Sequence, residues 1–263
     1  MAKTAYLVLE DGSAYQGESF GADAPGHGEV VFNTSMTGYQ EVLTDPSYAG
    51  QLVTLTYPLV GNYGINREDF ESGHIQVSGL IVSEHCDRPS HGQSQSTLDE
   101  FLRSQSIPGI SGVDTRAITR HLRSQGVMLG LITSDSPQEA LARLAEVPRY
   151  DDLDFVRSVT TEQSYQWDEP SLEPGAQEKN RILVTDYGLK YNILRLLRQQ
   201  GCQVIALPAT TAPEDMLALQ PSGIVLSPGP GDPERLDYIV ANVRELIGRV
   251  PIMGICLGHQ LVA

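Results

Sequence analysis

Apolar residues recur along this chain in two different rhythms, one for the front half and one for the back. Residues 5–9 and 13–17 read as extended stretches on either side of Glu10-Asp11-Gly12. An Asp-Gly pair between two such stretches predicts a β-hairpin. Residues 30–33, 52–57 and 74–83 are further strand candidates, separated by turns rich in glycine and proline. Helices enter later. Asp114 is placed to cap a helix over Thr115–Gln125, and Ser136-Pro137-Gln138-Glu139 has the form of a capping box with proline at the first helical position, continued by 140–145. From 159 to 180 the text is polar and aperiodic, which predicts a linker between a front domain, 1–158, and a back domain, 181–263.

Past that stretch, short apolar runs at Arg181–Asp186, 203–207, 223–227 and 251–255 alternate with amphipathic segments. Segment 192–200 turns Ile193, Leu194, Leu196 and Leu197 to one side, and 234–247 repeats Leu236, Ile239, Val240, Val243 and Leu246 at helical spacing. Strands alternating with helices at this period predict a parallel sheet with right-handed crossovers. Ligands of such sheets gather at the carboxyl ends of the strands. The expected class is therefore α/β, with a sheet-rich N-terminal domain ahead of a parallel-sheet domain.

Composition narrows the functions this fold could carry. A formal charge of -15 and a pI near 4.7 oppose nonspecific binding to nucleic acid or an anionic membrane, because both are themselves negative. Three cysteines, at 86, 202 and 256, are an odd and scattered set, which argues against a disulfide framework and for a reducing compartment such as the cytoplasm. The first residues turn polar at Glu10 and Asp11, too soon for a secretory signal, and no apolar run reaches the length of a membrane span.

Two segments of the back half carry chemistry. Gly254-Ile255-Cys256-Leu257-Gly258-His259-Gln260 follows the last strand candidate. A cysteine after a buried strand is by habit an inert small hydrophobe. Glycines two before and two after it, however, permit a tight strand-to-helix turn that lifts the side chain into a cleft and points the positive end of the next helix at the sulfur. The second segment, Ser227-Pro228-Gly229-Pro230-Gly231-Asp232-Pro233, reads by composition as a rigid loop. In a parallel sheet it emerges on the same edge as Cys256, where glycine lets backbone N–H groups approach a substrate and hold an oxyanion. His259, three residues past the cysteine, is directed back toward the sheet flank and is rejected as a base. Glu84-His85-Cys86 with His91 has zinc-type ligands but no established spacing, so a solvated loop is the expectation there.

Together these two segments resemble the nucleophile and oxyanion-loop signatures of the triad-type (class I) glutamine amidotransferases. The front half is similar to the carbamoyl-phosphate synthetase small subunit family through Gly28-Glu29-Val30-Val31-Phe32-Asn33-Thr34-Ser35-Met36-Thr37-Gly38-Tyr39 and its continuation to Tyr48, through Thr54 to Pro58, and through Gly112-Val113-Asp114-Thr115-Arg116. The resemblance implies that Cys256 is the nucleophile and that the backbones of Leu257 and Gly229 hold the oxyanion. It implies further that Gly231 and Gln260 line a glutamine pocket and that Ser47 of the front domain reaches the same substrate. Pro228 departs from the asparagine expected there, removing an N–H and a polar side chain. The implied reaction is hydrolysis of glutamine to glutamate and ammonia. A large-subunit partner uses that ammonia with bicarbonate, ATP and Mg to make carbamoyl phosphate for arginine and pyrimidine synthesis. No cofactor is expected in the small subunit itself, which has no Gly-x-x-x-x-Gly-Lys-Ser/Thr phosphate loop. The family's base histidine and its glutamate are expected beyond Ala263, so the sequence reads as C-terminally truncated. A noncatalytic scaffold that binds the large subunit is the alternative reading.

Overall fold

The computed structural model describes residues 3–171 and 178–263. The chain divides into two compact units, with the boundary between Asp152 and Leu153.

In the first unit the strands are β1 (Thr4–Leu9), β2 (Ala14–Gly21), β3 (Gly26–Asn33), β4 (Gln51–Leu55), β5 (Leu59–Val60), β6 (Gly79–Ile81), β7 (Glu84–His85), β8 (Pro108–Ser111) and β9 (Met128–Thr133). Seven of them close into a barrel in the order β1-β2-β8-β6-β4-β3-β9, and β5 pairs with β7 apart from it. β1 and β2 form the hairpin predicted around Asp11-Gly12, with Val8 opposite Ala14. β3, β4, β6 and β8 run parallel to one another. Alternation fills two layers. Leu7, Leu9, Val30, Leu52, Ile81, Ile110 and Ile132 meet in one buried cluster, while Val8 and Leu131 turn the other way onto Ala140 and Leu144.

Helices α1 (Tyr39–Thr44), α2 (Leu98–Ser104), α3 (Thr115–Gln125) and α4 (Pro137–Leu144) cover this barrel. Asp114 caps α3 by accepting the Ala117 N–H, and Ser136 and Glu139 form the predicted capping box on α4. The strand expected over 74–83 is a ladder strand only at Gly79–Ile81. Upstream of it, the Ile75 N–H is taken by Gln105 and the Gln76 N–H by the Leu43 carbonyl, so those residues are diverted from the sheet.

The second unit holds β10 (Tyr165–Trp167), β11 (Arg181–Asp186), β12 (Gln203–Pro208), β13 (Gly223–Leu226) and β14 (Ile252–Gly254), with helices α5 (Val156–Val159), α6 (Tyr191–Gln199), α7 (Pro213–Ala218), α8 (Asp237–Leu246) and α9 (Leu257–Gln260). Its sheet order is β10-β12-β11-β13-β14; the last four named strands in chain order are parallel, and β10 is antiparallel to β12. Adjacent residues on one strand serve opposite faces: Val184 packs with Leu194 of α6, whereas Leu183 packs with Met216 of α7 and with Ile239 and Val243 of α8. Helices thus cover both faces of the parallel sheet that the alternation predicted, a doubly wound arrangement.

Two sequence expectations change here. The stretch read as a linker, 159–180, contains β10, and the second unit starts at Leu153 rather than at 181. The aromatic pair Tyr165 and Trp167 anchors β10 in the α6-side cluster, a signal too short to register as periodicity. Residues 172–177 of that stretch lie outside the described residues. The helix expected over 234–247 begins as a separate turn, Pro233–Arg235, before α8, because Leu236 at φ -109, ψ 35 interrupts it.

Candidate active site

The strand order of the second unit sets where a ligand can sit. The connection from β11 through α6 leads outward to β12; the chain then crosses back over β11 to place β13 and β14 on its other side. The reversal opens a crevice at the carboxyl ends of β11 and β13, the topological switch point where open α/β sheets bind ligands. Three loops meet there: 186–189 after β11, 227–231 after β13, and Ile255-Cys256 after β14.

Backbone contacts of glycine hold these loops together. The Gly258 N–H donates to the Ser227 carbonyl at 3.1 Å, and the Ile255 N–H to the Leu226 carbonyl at 3.0 Å. A Cβ on Gly258 would stand 2.3 Å from the Leu226 carbonyl oxygen, and one on Gly229 would stand 2.1 Å from the Tyr187 carbonyl oxygen. No residue larger than glycine fits at either place without moving backbone. Ser227, fully buried, joins the remaining edge: its Oγ accepts the Tyr187 N–H at 2.9 Å and donates to the Pro228 carbonyl at 2.7 Å. One serine therefore fastens the end of β11, the glycine-proline loop and, through its own carbonyl, the turn that bears the cysteine.

Cys256 sits at φ 52, ψ -113, a left-handed backbone for a residue with a Cβ. Strain of this kind costs about 1–3 kcal/mol and persists only where surrounding contacts over-determine it. Here the His259 and Gln260 N–H groups both donate to the Cys256 carbonyl, at 2.9 and 3.1 Å, which closes the turn into α9. The side chain is exposed, whereas Cys86 and Cys202 are half-buried. Among the described residues, the N–H groups of Leu257 and Gly229 have no acceptor, whereas that of Gly258 is taken by Ser227 and Ile255.

Asp186, at the end of β11, accepts the N–H groups of Thr161, Gly188 and Leu189 at 2.9, 3.1 and 2.8 Å. Burial pushes its carboxyl above the usual carboxylate range, against the pull of those three donors. It fixes the loop whose Tyr187 carbonyl supports Gly229. Tyr187 is itself buried, which lifts its phenol to about 12.

Of the six residues singled out from the sequence, the second unit brings together Cys256, Leu257 and Gly229 on one sheet edge. Gly231, at φ 90, continues the same loop, and Gln260 is exposed on α9. Ser47 belongs to the first unit, in the turn Pro46–Tyr48, where its N–H donates to the buried Asp45 carboxylate at 2.9 Å. Sequence reasoning passed over Ser227, Tyr187 and Asp186 as individuals. The usable signal was position, since Asp186 ends β11, Tyr187 follows it directly and Ser227 directly follows β13. The Glu84-His85-Cys86 segment is engaged locally: His85 stacks on Phe20 with centroids 4.5 Å apart, and the Cys86 thiol donates to the Arg88 carbonyl.

Comparison with known proteins addresses both units. Residues 7–132 match the family described as carbamoyl-phosphate synthase small chain, CPSase domain, and residues 183–263 match glutamine amidotransferase class-I. The chain is 48% identical over 98% of its length to the carbamoyl phosphate synthase small chain of Syntrophotalea carbinolica, covering 71% of that protein. It is 50% identical to that of Bacillus caldolyticus, again over 98% of the chain and 68% of the relative. The carbamoyl phosphate synthase pyrimidine-specific small chain of Halalkalibacterium halodurans is 48% identical, with 98% and 69% covered. Among the described residues no helix is long and apolar enough to cross a membrane.

Proposed function

We propose, from the premise that this chain belongs to the carbamoyl phosphate synthase small-chain family, that Cys256 is the nucleophile of its glutamine-hydrolysing reaction. The family's function is hydrolysis of glutamine for carbamoyl phosphate synthesis, a ligase activity whose small chain implies a large one. The roles of individual residues are our reading. The observation that carries it is the strained, exposed cysteine, tied by the Gly258 N–H to the carbonyl of Ser227 at the head of the glycine-proline loop.

In this reading the Cys256 thiolate attacks the side-chain amide carbon of glutamine. The carbonyl oxygen becomes an oxyanion received by the N–H groups of Leu257 and Gly229. Each such donor is worth about 2.7–4 kcal/mol in the transition state, and the reading is supported by neither N–H having an acceptor among the described residues. The C–N bond then breaks, the nitrogen leaves as ammonia by taking up from solvent one proton, equal to the one the Cys256 thiol released on becoming a thiolate, and a thioester remains. Water hydrolyses that thioester to glutamate and restores the thiol. Gly231 and Gln260, both in the second unit, are assigned to the glutamine itself. Pro228 is compatible with the scheme, because the loop is held by Ser227 Oγ and by backbone rather than by a side chain at 228. The released ammonia passes to a large subunit, which supplies ATP and Mg chemistry; the small chain needs no cofactor and works in the cytoplasm.

A diazoketone analogue of glutamine, followed by mass spectrometry, tests the nucleophile. We expect selective alkylation of Cys256, blocked by glutamine, with Cys86 and Cys202 unmodified. Indiscriminate labelling of all three thiols, unaffected by glutamine, would overturn the assignment and favour a scaffold that binds the large chain without a working pocket.

A further inference from the structure

The first unit contains a concave site that the glutaminase reaction does not use. Its floor is α3, which presents Arg116, Arg120 and Arg123, a spacing of four and then three residues that lines side chains along one helical stripe. The opposite wall comes from Thr34, Thr56 and Ser83. These three stand just past the carboxyl ends of β3, β4 and β6, and α3 itself follows β8. The cleft thus lies where the four parallel strands of the barrel end, the side on which sheets with parallel strands place their ligands. Its volume of about 630 Å³ falls within the small-molecule range of roughly 300–1,000 Å³.

Its electrostatics stands out by the clustering of three arginines along one stripe. Lack of partners alone does not set them apart, since Arg67, Arg88, Arg244 and Arg249 also pair with no carboxylate among the described residues. The chain carries 33 carboxylates against 18 lysines and arginines, and Lys3, Arg103, Arg143, Arg149, Arg157 and Arg198 each pair with one. Among the described residues, Arg116, Arg120 and Arg123 pair with none. The carboxylate in the wall, Asp114, is spent on the helix cap, where its Oδ1 accepts the Ala117 N–H at 2.8 Å. Three like charges on one stripe repel one another and oppose helix formation. A protein with so many acidic groups could have neutralised them and does not. Guanidinium forks beside free hydroxyls make a donor set matched to the oxygens of phosphate or carboxylate groups.

We infer that this cleft is a binding site for a small multivalent anion bearing phosphate or carboxylate groups. The site lies wholly within the first unit and is independent of Cys256, so its failure would leave the glutaminase reading untouched.

Isothermal titration of the full chain with inorganic pyrophosphate, and separately with citrate, tests it and separates the phosphate from the carboxylate source. Saturable one-site binding is expected for at least one probe. Arg116→Gln and Arg120→Gln should each weaken it by about 10-fold or more, with Arg120→Lys intermediate because charge is kept and the fork is lost. All three residues are exposed, so unchanged thermal unfolding will certify that the variants fold. Absence of saturable binding of both probes, or binding unchanged in the variants, would overturn the inference. So would variants that lose only the large subunit while the parent chain binds neither probe, which would make α3 a protein-docking face.

Discussion

Ser227 concentrates more of the geometry around Cys256 than its size suggests. Its hydroxyl is the only hydrogen-bond partner of the Tyr187 N–H among the described residues, and both groups are buried. Removing it strands a buried donor, at a cost of about 1–3 kcal/mol, and releases the loop that carries Gly229. Displacements of about 1 Å in a catalytic loop can cost two orders of magnitude in rate. Ser227→Ala is therefore expected to lower glutaminase kcat by about 10- to 100-fold in the complex with the large subunit, with a smaller change in KM. Steady-state glutamate release measures both. A variant with parental kcat and a parental melting temperature would show that backbone contacts alone hold the loop. This role could not be read from the letters: a serine opening a proline-glycine run is a common turn residue, and only the strand pairing shows that its hydroxyl faces the end of β11.

Elements differ in how openly their residues announce them. α3 and α4 were legible because capping is local: Asp114, or Ser136 with Glu139, satisfies N–H groups within a few residues. The four parallel strands were legible as short apolar runs; β13 is buried throughout and β11 over its last four residues, whereas β14 keeps an apolar run although Met253 is exposed. β10 and the closure of the barrel were not, since each depends on partners distant in sequence: β9 closes the barrel against β1, where Glu10 and Leu129, 119 residues apart, are joined by a main-chain bond and by the Glu10 carboxylate. The capping boxes also predict a pH response. Bonds from Thr97 hold the Glu100 carboxyl below its ordinary value of 4.5, and bonds from Ser136 do the same for Glu139. A depressed folded-state value means that the stabilisation is complete above 4.5 and is lost as pH falls through the lower folded value. Amide protection factors at the first turns of α2 and α4, taken relative to the intrinsic exchange rate at each pH, should fall on acidification below that range and stay constant between pH 6 and 8. Protection that is unchanged through the acid range would contradict the capping assignment.

At the scale of the whole chain, each unit carries its own buried clusters, three in the first and two in the second among the described residues. A unit with a closed hydrophobic core can fold without the other. Residues 1–152 expressed alone are expected to give a cooperative thermal transition, followed by circular dichroism at two wavelengths; a broad, non-coincident melt would show that the barrel needs the second unit. Barrel closure has one more consequence. A sheet whose ends are joined offers no ladder of unpaired main-chain groups, so an extended peptide from another protein cannot be added to it as an eighth strand. Whatever associates with that barrel must recognise protruding side chains on its helices and loops, and discrimination between partners then rests on a handful of substitutable positions rather than on backbone shape.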